Sequence, residues 1–393
     1  MKEVRQAFRF QLIRSKRIKH LDRTINVAAQ IWNKAIALHR RYYKLFKKSL
    51  KQSQLQRHLA KLRRTRFKHW MLVDSQAVQA VTDRLYRAWG AWFKHQIKRP
   101  PTFRALRKYK SFTLKQSGWK LLGPGRVRIQ GRIYRFHQCR EILGTVKTVT
   151  VSRDKTGRYF VSFSCEEVPS PEPRVKTGQT TGADFGLKTF LTLSDGSEIH
   201  APLPLKKSLH KVRSLHRRLS RKQKGSHSHR KARLALAKAR LRVKNQRSNW
   251  HWQVATKLVK QFDRLAFEDL NLRGMKALWG RKVSDLGFAD FLSKQIWLAE
   301  KYGKELKQSP RFDPTSQRLF CCKHKQPAPL EFRTIVCQKC GRVWPRDQSA
   351  ALNIEESCFA DSGQEPILDL VKRQSALVTA ESHALQAWER VNI

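Results

Sequence analysis

The sequence predicts a multidomain α+β protein. Its 393 residues exceed the length of one small domain, and 40% of them are hydrophobic, which is enough to fill more than one core. Residues 20–97 repeat apolar side chains at helical spacing, whereas residues 111–166 form short alternating segments separated by glycines. A proline-rich linker at 169–180 precedes a second set of strand-like and helical segments. Helices and strands therefore occupy separate stretches of the chain, as in α+β proteins.

The N-terminal half begins with a predicted strand over 3–13, where apolar and polar residues alternate. Three helical segments follow at 20–47, 52–68 and 74–97. The Pro-Pro pair at 100–101 ends the last of them, because proline cannot continue a helix. Short strands with glycine turns then lead to the linker.

The C-terminal half is predicted to begin with two or three antiparallel strands over 181–202. A long basic helical hairpin covers about 205–260, and a buried-looking strand follows at 264–270. A helix around 284–305, a cysteine-rich segment and a helix from about 347 complete this half.

The charge distribution predicts a polyanionic partner. The chain carries 83 Lys and Arg against 29 Asp and Glu, a net charge of +54. Between Glu198 and Asp263 there are 19 Lys or Arg and no acid. Positive charges in such a segment repel one another unless a polyanion neutralises them, so the predicted partner is nucleic acid.

The same sequence disfavours membrane and exported proteins. No apolar run approaches the ~20 residues that span a bilayer, and the N-terminus, MKEVRQAFRF, lacks the apolar core of a signal peptide. Seven cysteines, an odd number, together with no export signal predict a reducing compartment. We therefore expect a cytoplasmic protein that associates with the nucleoid when it binds DNA.

Three acids are conspicuous because the chain has few of them and apolar residues flank each one. Asp184 lies within a strand-like segment, Glu268 follows the apolar run LAF, and Asp347 precedes QSAALNI. Carboxylates brought together in a core raise one another's pKa, and a pair of Mg²⁺ ions would relieve that repulsion and support phosphodiester hydrolysis. Taken singly, Asp184 also fits a turn, Glu268 an exposed strand end and Asp347 a helix N-cap.

Four of the seven cysteines fall between Cys321 and Cys340. CQKC at 337–340 has the spacing of a zinc half-site, whereas CCKH at 321–324 is an irregular second half. The segment therefore predicts a zinc-knuckle-like element next to the third conspicuous acid.

Four segments carry a family resemblance when they are taken together. They are GADFGLKTFLTLSDG, the basic hairpin with RLSRKQKGS and KNQRSNW, FEDLNLRGM, and CQKCGRVWPRDQSAALNI. In combination they resemble the TnpB family, the OrfB-type transposon-encoded RNA-guided DNA endonucleases related to the type V CRISPR effectors. QIWNKAIALHRRYY and SFTLKQSG are similar to that family more loosely, and the resemblance covers about residues 1–355.

The resemblance implies a wedge-type β-barrel with an inserted helical recognition domain, and a RuvC/RNase H-like nuclease domain with an inserted zinc-knuckle-like element. The implied boundaries are 1–15 and 105–178 for the barrel, 16–104 for the helical recognition domain, 179–310 and 344–356 for the nuclease domain, 311–343 for the knuckle-like insert, and 357–393 for a C-terminal tail.

The resemblance also implies nucleic-acid partners. A guide RNA from the transposon end pairs with target double-stranded DNA, and the protein reads a short motif beside the target. Gln79 and Thr113 match positions near that motif, although a structural helix Gln is the alternative. The basic hairpin supplies further candidate contacts: Arg217, Arg218, Arg221, Lys222, Lys224 and Arg247. A separate transposase encoded by the same element is a further implied partner.

The conspicuous acids match the family's catalytic residues. In that mechanism Asp184 would bridge two Mg²⁺ ions, and Glu268 and Asp347 would each hold one, during hydrolysis without a covalent intermediate. Arg346 matches the family's RD dipeptide and would meet the scissile strand.

The cysteine segment departs from the family's two C-x₂-C pairs, because Leu319 stands where the first cysteine belongs. The candidate Zn²⁺ ligands are therefore Cys322, Cys337 and Cys340, completed by either Cys321 or His324. The alternative is a metal-free element that packs around Leu319.

Two other functions are compatible with the sequence. A nuclease-inactive, guide-directed repressor of the same family would be marked by loss of one of the three acids, all of which are present. A guide-independent transposase would carry no discrete RNA.

Overall fold

The computed structural model describes residues 4–169, 176–310, 313–327 and 332–359. The fold is mixed α+β, and the chain divides into two compact units, residues 1–170 and 171–393. The predicted tail at 357–393 lies outside the described residues from position 360, as do parts of the predicted knuckle-like insert. Within the described ranges, no helix is both long and apolar enough to cross a membrane.

The described part of the N-terminal unit contains seven strands and three α-helices. In chain order they are β1 (Val4–Gln11), α1 (Ile18–Phe46), α2 (Gln52–Thr65), α3 (Ser75–Phe93), β2 (Ser111–Leu114), β3 (Trp119–Leu121), β4 (Arg126–Ile129), β5 (Arg132–Arg135), β6 (Thr145–Arg153) and β7 (Tyr159–Val168).

Four of these strands form an antiparallel sheet in the order β1–β7–β6–β2. Its core follows the two-residue period of a strand, since Tyr159, Val161 and Phe163 of β7 are buried and the residues between them are more exposed. Strands β3, β4 and β5 form a second antiparallel sheet, and a bridge between Leu12 and Phe136 joins the two.

The closed wedge-type barrel predicted from 1–15 and 105–178 is not found among the described strands. β2 and β3 each pair with a single neighbour, so both sheets keep open edges. Gly118 lies between these two strands with φ of +86°, a left-handed conformation that favours glycine. This turn directs β3 into the three-stranded sheet instead of continuing the first one.

The helices of this unit pack with a defined polarity. Near the start of α1, the Thr24 hydroxyl donates to the side chain of Gln130 (3.4 Å), whose amide donates to the Leu72 carbonyl just before α3 (3.1 Å). Near the other end of both helices, the rings of His39 and Trp89 stack with centroids 3.7 Å apart. α1 and α3 therefore run in the same direction, and their C-terminal ends lie at the same end of the unit.

The described part of the C-terminal unit contains seven strands and five α-helices. They are β8 (Thr180–Phe185), β9 (Leu191–Leu193), β10 (Glu198–Ile199), α4 (Pro204–Ser220), α5 (His227–Gln261), β11 (Arg264–Glu268), α6 (Leu272–Leu286), α7 (Phe288–Tyr302), β12 (Glu305–Ser309), β13 (Thr334–Val336), β14 (Val343–Pro345) and α8 (Arg346–Phe359).

A five-stranded mixed sheet with the order β10–β9–β8–β11–β12 organises this unit. β8, β11 and β12 are parallel, and β9 is antiparallel to β8. Phe185 and Phe267 project from the sheet into a core shared with Phe291 of α7. On the other face, Ala266 packs against Ile354 of α8. Among the described residues, the sheet is therefore covered by helices on both faces, with α8 on the face opposite α7.

A buried polar network ties α5 to α7. His251 is fully buried, and its Nδ1 lies 2.9 Å from a carboxylate oxygen of Asp290 while its Nε2 lies 2.9 Å from the Leu286 carbonyl. The ammonium of Lys294, also buried, lies 2.5 Å from the same Asp290 oxygen. These contacts, with burial opposing them, hold the pKa of Asp290 well below its usual range.

Asp290→Asn is expected to lower the free energy of unfolding by about 1–2 kcal/mol, because it leaves the buried Lys294 ammonium without its counter-charge while the half-exposed position of Asp290 lets water screen part of the loss. The lowered pKa of Asp290 means that its contribution is present at neutral pH and is lost only as the pH falls through the folded-state pKa. Urea unfolding at pH 7 measures the loss.

The control is Asp195→Asn, which alters an exposed turn acid of the same unit. The double variant Asp290→Asn/Lys294→Met should recover part of the loss, because it removes the unpaired charge. A single variant within about 0.5 kcal/mol of the wild type contradicts a structural role for this network.

Candidate active site

Strand alternation places the first two conspicuous acids on the same face of the sheet. On β8 and β11, Phe185 and Phe267 project into the core shared with α5 and α7, so their neighbours Asp184 and Glu268 project towards α8. The parallel register pairs Phe267 with Ala183, which brings Glu268 beside Asp184 one residue further along. Adjacent strands lie about 4.8 Å apart, so the two carboxylates are neighbours.

The third acid reaches this face because α8 packs directly on β8 over a glycine. A Cβ atom at Gly182 would overlap the Ala351 carbonyl oxygen and would lie 2.7 Å from the Glu355 nitrogen. Asp347 precedes Ala351 by one helical turn, about 6 Å, and Asp184 follows Gly182 by two strand residues, about 6.6 Å. Because these two distances are similar, Asp347 in the first turn of α8 is placed near the end of β8 that contains Asp184.

The charges of Glu268 and Asp347 both act on Asp184. Burial is the largest cause that raises the pKa of Asp184 to about 8, followed by the negative charges of Glu268 and then Asp347. The positive charge of Arg346 acts in the opposite direction. Burial also raises the pKa of Glu268. The three acids singled out in the sequence therefore lie in one region of the structure and interact through their charges. Among the described residues, only the four cysteines of the knuckle-like element have their potential ligand atoms all within 4.8 Å of one another.

Two arginines complete the surroundings of Asp347. Arg333, which the sequence analysis did not single out, has its Nη1 2.5 Å from Asp347 Oδ2. The β13–β14 hairpin explains this contact, because its register pairs Thr334 with Pro345 and the backbone N–H of Arg346 donates to the Arg333 carbonyl (2.8 Å). Among the described residues, the buried Nε of Arg346 has no hydrogen-bond partner.

The donor set fits a divalent cation. It consists of carboxylate oxygens alone, the ligands that Mg²⁺ prefers. Arg333 pairs with Asp347 in the folded chain, whereas burial and the charges of Glu268 and Asp347 leave Asp184 with a raised pKa. Glu268 and Asp347 are partly buried like Asp184, so solvent reaches the site only in part.

The four cysteines of the knuckle-like element also form a cluster. The sulfurs of Cys321, Cys322, Cys337 and Cys340 all lie within 4.8 Å of one another. Tetrahedral zinc with Zn–S bonds of about 2.3 Å separates its sulfurs by about 3.8 Å, so the spacing fits a four-thiolate site. Of the two residues considered for the fourth position, the structure brings Cys321 into the group and leaves His324 outside it.

Local backbone geometry accounts for the choice of Cys321. Lys323 adopts a positive φ of 54°, which turns the chain directly after the two adjacent cysteines. The Leu319 N–H then donates to the His324 carbonyl (3.0 Å), closing the turn. Leu319 is buried against Ile335 and Cys337, so it supplies packing where the family pattern has a ligand.

One thiol of the cluster is already disposed to ionise. The backbone N–H of Arg342, the largest cause, and then contacts with Cys322 lower the pKa of the Cys340 thiol to about 7. Burial and then the contact with Cys340 raise the pKa of Cys321, and the contact with Cys340 is the largest cause that raises the pKa of Cys322. Zinc binds thiolates, so it would have to displace protons from these two thiols.

The proposed motif-reading residues have different environments. Gln79 is exposed on α3. The Thr113 hydroxyl on β2 instead lies 2.9 Å from the Thr150 hydroxyl and receives a hydrogen bond from Arg84 (3.4 Å). Gln79 is therefore free to meet a ligand, whereas Thr113 is engaged within its own unit.

The basic hairpin candidates are mostly exposed. Arg217, Arg218, Arg221, Lys222 and Lys224 lie on the surface at the end of α4 and in the loop that follows it. Arg247 differs, because its Nη1 donates to the Ser284 carbonyl (2.6 Å) and so connects α5 to α6. An open groove of about 600 Å³ runs along α4, lined by Leu209, His210, Arg213, His216 and Arg217.

Two family models match the chain in succession. The OrfB_IS605 model, described as "Probable transposase", matches residues 162–278, and the Cas12f1-like TNB domain model matches residues 288–354. The first match includes Asp184 and Glu268. The second includes the cysteine cluster and Asp347.

Curated relatives agree with these models. A Streptomyces pristinaespiralis protein named "Putative RNA-guided DNA endonuclease" is 31% identical over 218 residues, which is 55% of this chain and 54% of that protein. This match spans about half the length of the relative. "Putative RNA-guided DNA endonuclease InsQ" of Escherichia coli (strain K12) is 25% identical over 349 residues, 81% of this chain and 83% of the relative.

The fold has a solved counterpart. A chain of the Cas12f1–sgRNA–target DNA complex, determined by cryo-EM, aligns with a TM-score of 0.53 and 16% identity over 87% of this chain and 83% of that one. The two chains therefore share a fold. With the family models and the relatives that match the same segments, these similarities show that the chain belongs to the TnpB (OrfB) family.

Proposed function

We propose that this chain is an RNA-guided DNA endonuclease with a RuvC-like hydrolytic site at Asp184, Glu268 and Asp347. The observation that carries the proposal is the convergence of these three carboxylates on the sheet face beneath α8. A protein that only binds DNA gains nothing from three mutually repelling acids at one point. Their convergence therefore favours nuclease activity over a nuclease-inactive repressor.

The three carboxylates would hold Mg²⁺. Bound Mg²⁺ would neutralise their charge and supply Lewis-acid activation of water and of the phosphodiester group. Arg333 occupies one carboxylate oxygen of Asp347 and must leave it for a cation to bind there. Arg346, with its unsatisfied buried Nε, donates to a phosphate oxygen of the scissile strand in this proposal.

The proposed partners are a guide RNA and target double-stranded DNA. The net charge of +54 and the exposed basic residues at the α4–α5 turn support polyanion binding. Gln79, exposed on α3, is the proposed reader of a base edge beside the target, because a glutamine side chain can pair with adenine in the major groove.

Sequencing the RNA that co-purifies with the full chain from its host tests the proposal. The expected result is one discrete RNA species, enriched over total RNA and retained by Asp184→Asn, because that substitution leaves the basic surface intact. Recovery of only heterogeneous cellular RNA contradicts guide use and favours a guide-independent role.

The cysteine cluster is proposed to hold one structural Zn²⁺ through Cys321, Cys322, Cys337 and Cys340. The clustering of the four sulfurs supports this assignment. The ion would fix the turn of the β13–β14 hairpin, whose opposite end carries the contact between Arg333 and Asp347.

Metal analysis of the purified protein is expected to give about one zinc per chain, as a four-thiolate site requires. Cys321→Ser should lose most of the zinc, because thiolate ligands cannot be spared from a tetrahedral site. His324→Ala and Cys139→Ser, which lie outside the cluster, should retain it. Loss of zinc from His324→Ala, or retention by Cys321→Ser, contradicts the assignment.

A further inference from the structure

The seam between α1 and α3 remains open at the C-terminal end of both helices. His39 and Trp89 stack across this seam, and each is followed one helical turn later by another aromatic residue, Tyr43 on α1 and Phe93 on α3. Residues four positions apart lie on the same side of a helix. Tyr43 and Phe93 therefore lie on the sides of α1 and α3 that face each other. They are nevertheless 56% and 62% exposed, so within the part of the chain that the structure describes the seam ends in an exposed apolar layer.

Further exposed apolar side chains lie at the same ends of the two helices. Leu45 and Phe46 at the end of α1 are 63% and 58% exposed, and Ile97 beyond α3 is also exposed. The ring of Phe46 lies 4.7 Å from that of Tyr42, one turn earlier. We call Tyr43, Leu45, Phe46, Phe93 and Ile97 the aromatic tip.

The chain segments that carry the aromatic tip contain many basic residues and no acidic ones. The segments 40–50 and 91–100 contain no Asp or Glu. They contain eight basic residues: Arg40, Arg41, Lys44, Lys47, Lys48, Lys94, Lys98 and Arg99. An occupant of the tip must therefore combine apolar flat surfaces with negative charge.

We propose that the aromatic tip binds unpaired nucleotides of single-stranded RNA. Base faces stack on Tyr43, Phe46 and Phe93, while the surrounding Lys and Arg contact the phosphates. A duplex already stacks its bases internally, whereas RNA loops and ends present unstacked bases. A second copy of the chain is a poor occupant, because it brings the same eight positive charges to the contact.

This inference shares RNA binding with the proposed function but does not depend on cleavage. Asp184→Asn protein is therefore a suitable background for its test. If the aromatic tip does not bind RNA, the proposed catalytic role of the carboxylates is unaffected. If the protein does not cleave DNA, the proposed RNA binding by the aromatic tip is unaffected.

The test uses the RNA-free full chain and fluorescence anisotropy with labelled oligouridine of about 12 nucleotides, within the site sizes of stacking proteins. One variant, Tyr43→Ala/Phe46→Ala/Phe93→Ala, removes the rings. A second, Tyr43→Leu/Phe46→Leu/Phe93→Leu, keeps an apolar surface without aromatic faces. A third, Lys47→Gln/Lys48→Gln/Lys94→Gln, removes charge alone. Met71→Ala is the control, because this residue is 60% exposed and lies just before α3, at the opposite end of that helix.

Both ring variants should weaken binding about tenfold or more with no change in the salt dependence, since base stacking is uncharged. The lysine variant should lower the slope of log K against log salt by about 2, since each lost phosphate contact contributes about 0.7 for single strands. Met71→Ala should bind like the wild type. Thermal unfolding confirms that each variant is folded, as expected for exposed positions.

Three results overturn the inference. The first is wild-type affinity in the alanine variant, and the second is wild-type affinity in the leucine variant, which would indicate an apolar contact instead of stacking. The third is a concentration-dependent dimer of the wild type that the alanine variant abolishes while RNA affinity is unchanged. Tighter binding of single-stranded DNA of matching sequence would also contradict the assignment to RNA.

Discussion

Asp184→Asn is expected to stabilise the metal-free protein at pH 8 and to abolish its stabilisation by Mg²⁺. Burial and the charges of Glu268 and Asp347 raise the pKa of Asp184 from 3.8 to about 8. Because the folded-state pKa is raised, the corresponding stability is present at low pH and is lost as the pH rises from about 4 through 8. The neutral Asn side chain avoids that loss, which we place at ~2 kcal/mol, or ~6 °C in Tm for a unit of this size.

Thermal unfolding at pH 5 and pH 8, with EDTA or with Mg²⁺, measures this effect. The difference between variant and wild type should be larger at pH 8 than at pH 5, and Mg²⁺ should raise the Tm of the wild type alone. Glu300→Gln, which neutralises an exposed acid on α7, is the control and should melt like the wild type. An Asp184→Asn protein that melts like the wild type at pH 8 in EDTA contradicts the repulsion between the three acids.

Gly182→Ala is expected to have the largest effect on the stability of the C-terminal unit. The added Cβ would overlap the Ala351 carbonyl oxygen and would lie 2.7 Å from the Glu355 nitrogen, and both are backbone atoms that cannot rotate away. α8 must therefore move off β8, which disrupts the packing of Ile354 and displaces Asp347 from the other acids. We expect a loss of about 3 kcal/mol or more together with loss of Mg²⁺ binding.

The control for this prediction is Gly90→Ala. Gly90 lies within α3 and has no atom within 4 Å of the position of an added Cβ. Alanine should be neutral there or stabilise the N-terminal unit by about 0.4–1 kcal/mol. A Gly182→Ala protein that unfolds at the same urea concentration as the wild type contradicts the close approach of α8 to β8.

The sequence was informative about the acids because each one interrupts an apolar pattern. Asp184 and Glu268 each follow three consecutive buried residues of a strand, and their shared face follows once the parallel strands are paired. The requirement for Gly182 could not be predicted in the same way. It arises from α8, which is about 170 residues further along the chain, and nothing in the local sequence indicates this packing.

Two local features are visible only in three dimensions. Cys321 and His324 have comparable spacing to the other cysteines, and the chain turns at Lys323 so that the sulfur of Cys321 joins the cluster while His324 lies outside it. The contact of Arg333 with Asp347 depends on the register of a hairpin whose strands have three residues each, too short for a periodic signal.

Other features differ from the expectation for specific physical reasons. A single helix was predicted at 284–305, but Gly287 adopts φ of 67° and separates α6 from α7. The closed barrel was implied by family resemblance, and the turn at Gly118 leaves its sheets open in the described chain. The network of His251, Asp290 and Lys294 was not predicted, because buried charges carry no periodic signature.

Cleavage of a supercoiled plasmid by the purified complex with its guide RNA tests the central claim most directly. The wild type with Mg²⁺ should cut only plasmids that contain the sequence matching the guide, and exchanging the guide segment should move the cut to the new match. Asp184→Asn should retain RNA and lose cleavage about 10³-fold or more, because it removes a metal ligand. Cleavage that ignores the guide, or that proceeds at the wild-type rate in Asp184→Asn, would contradict the account.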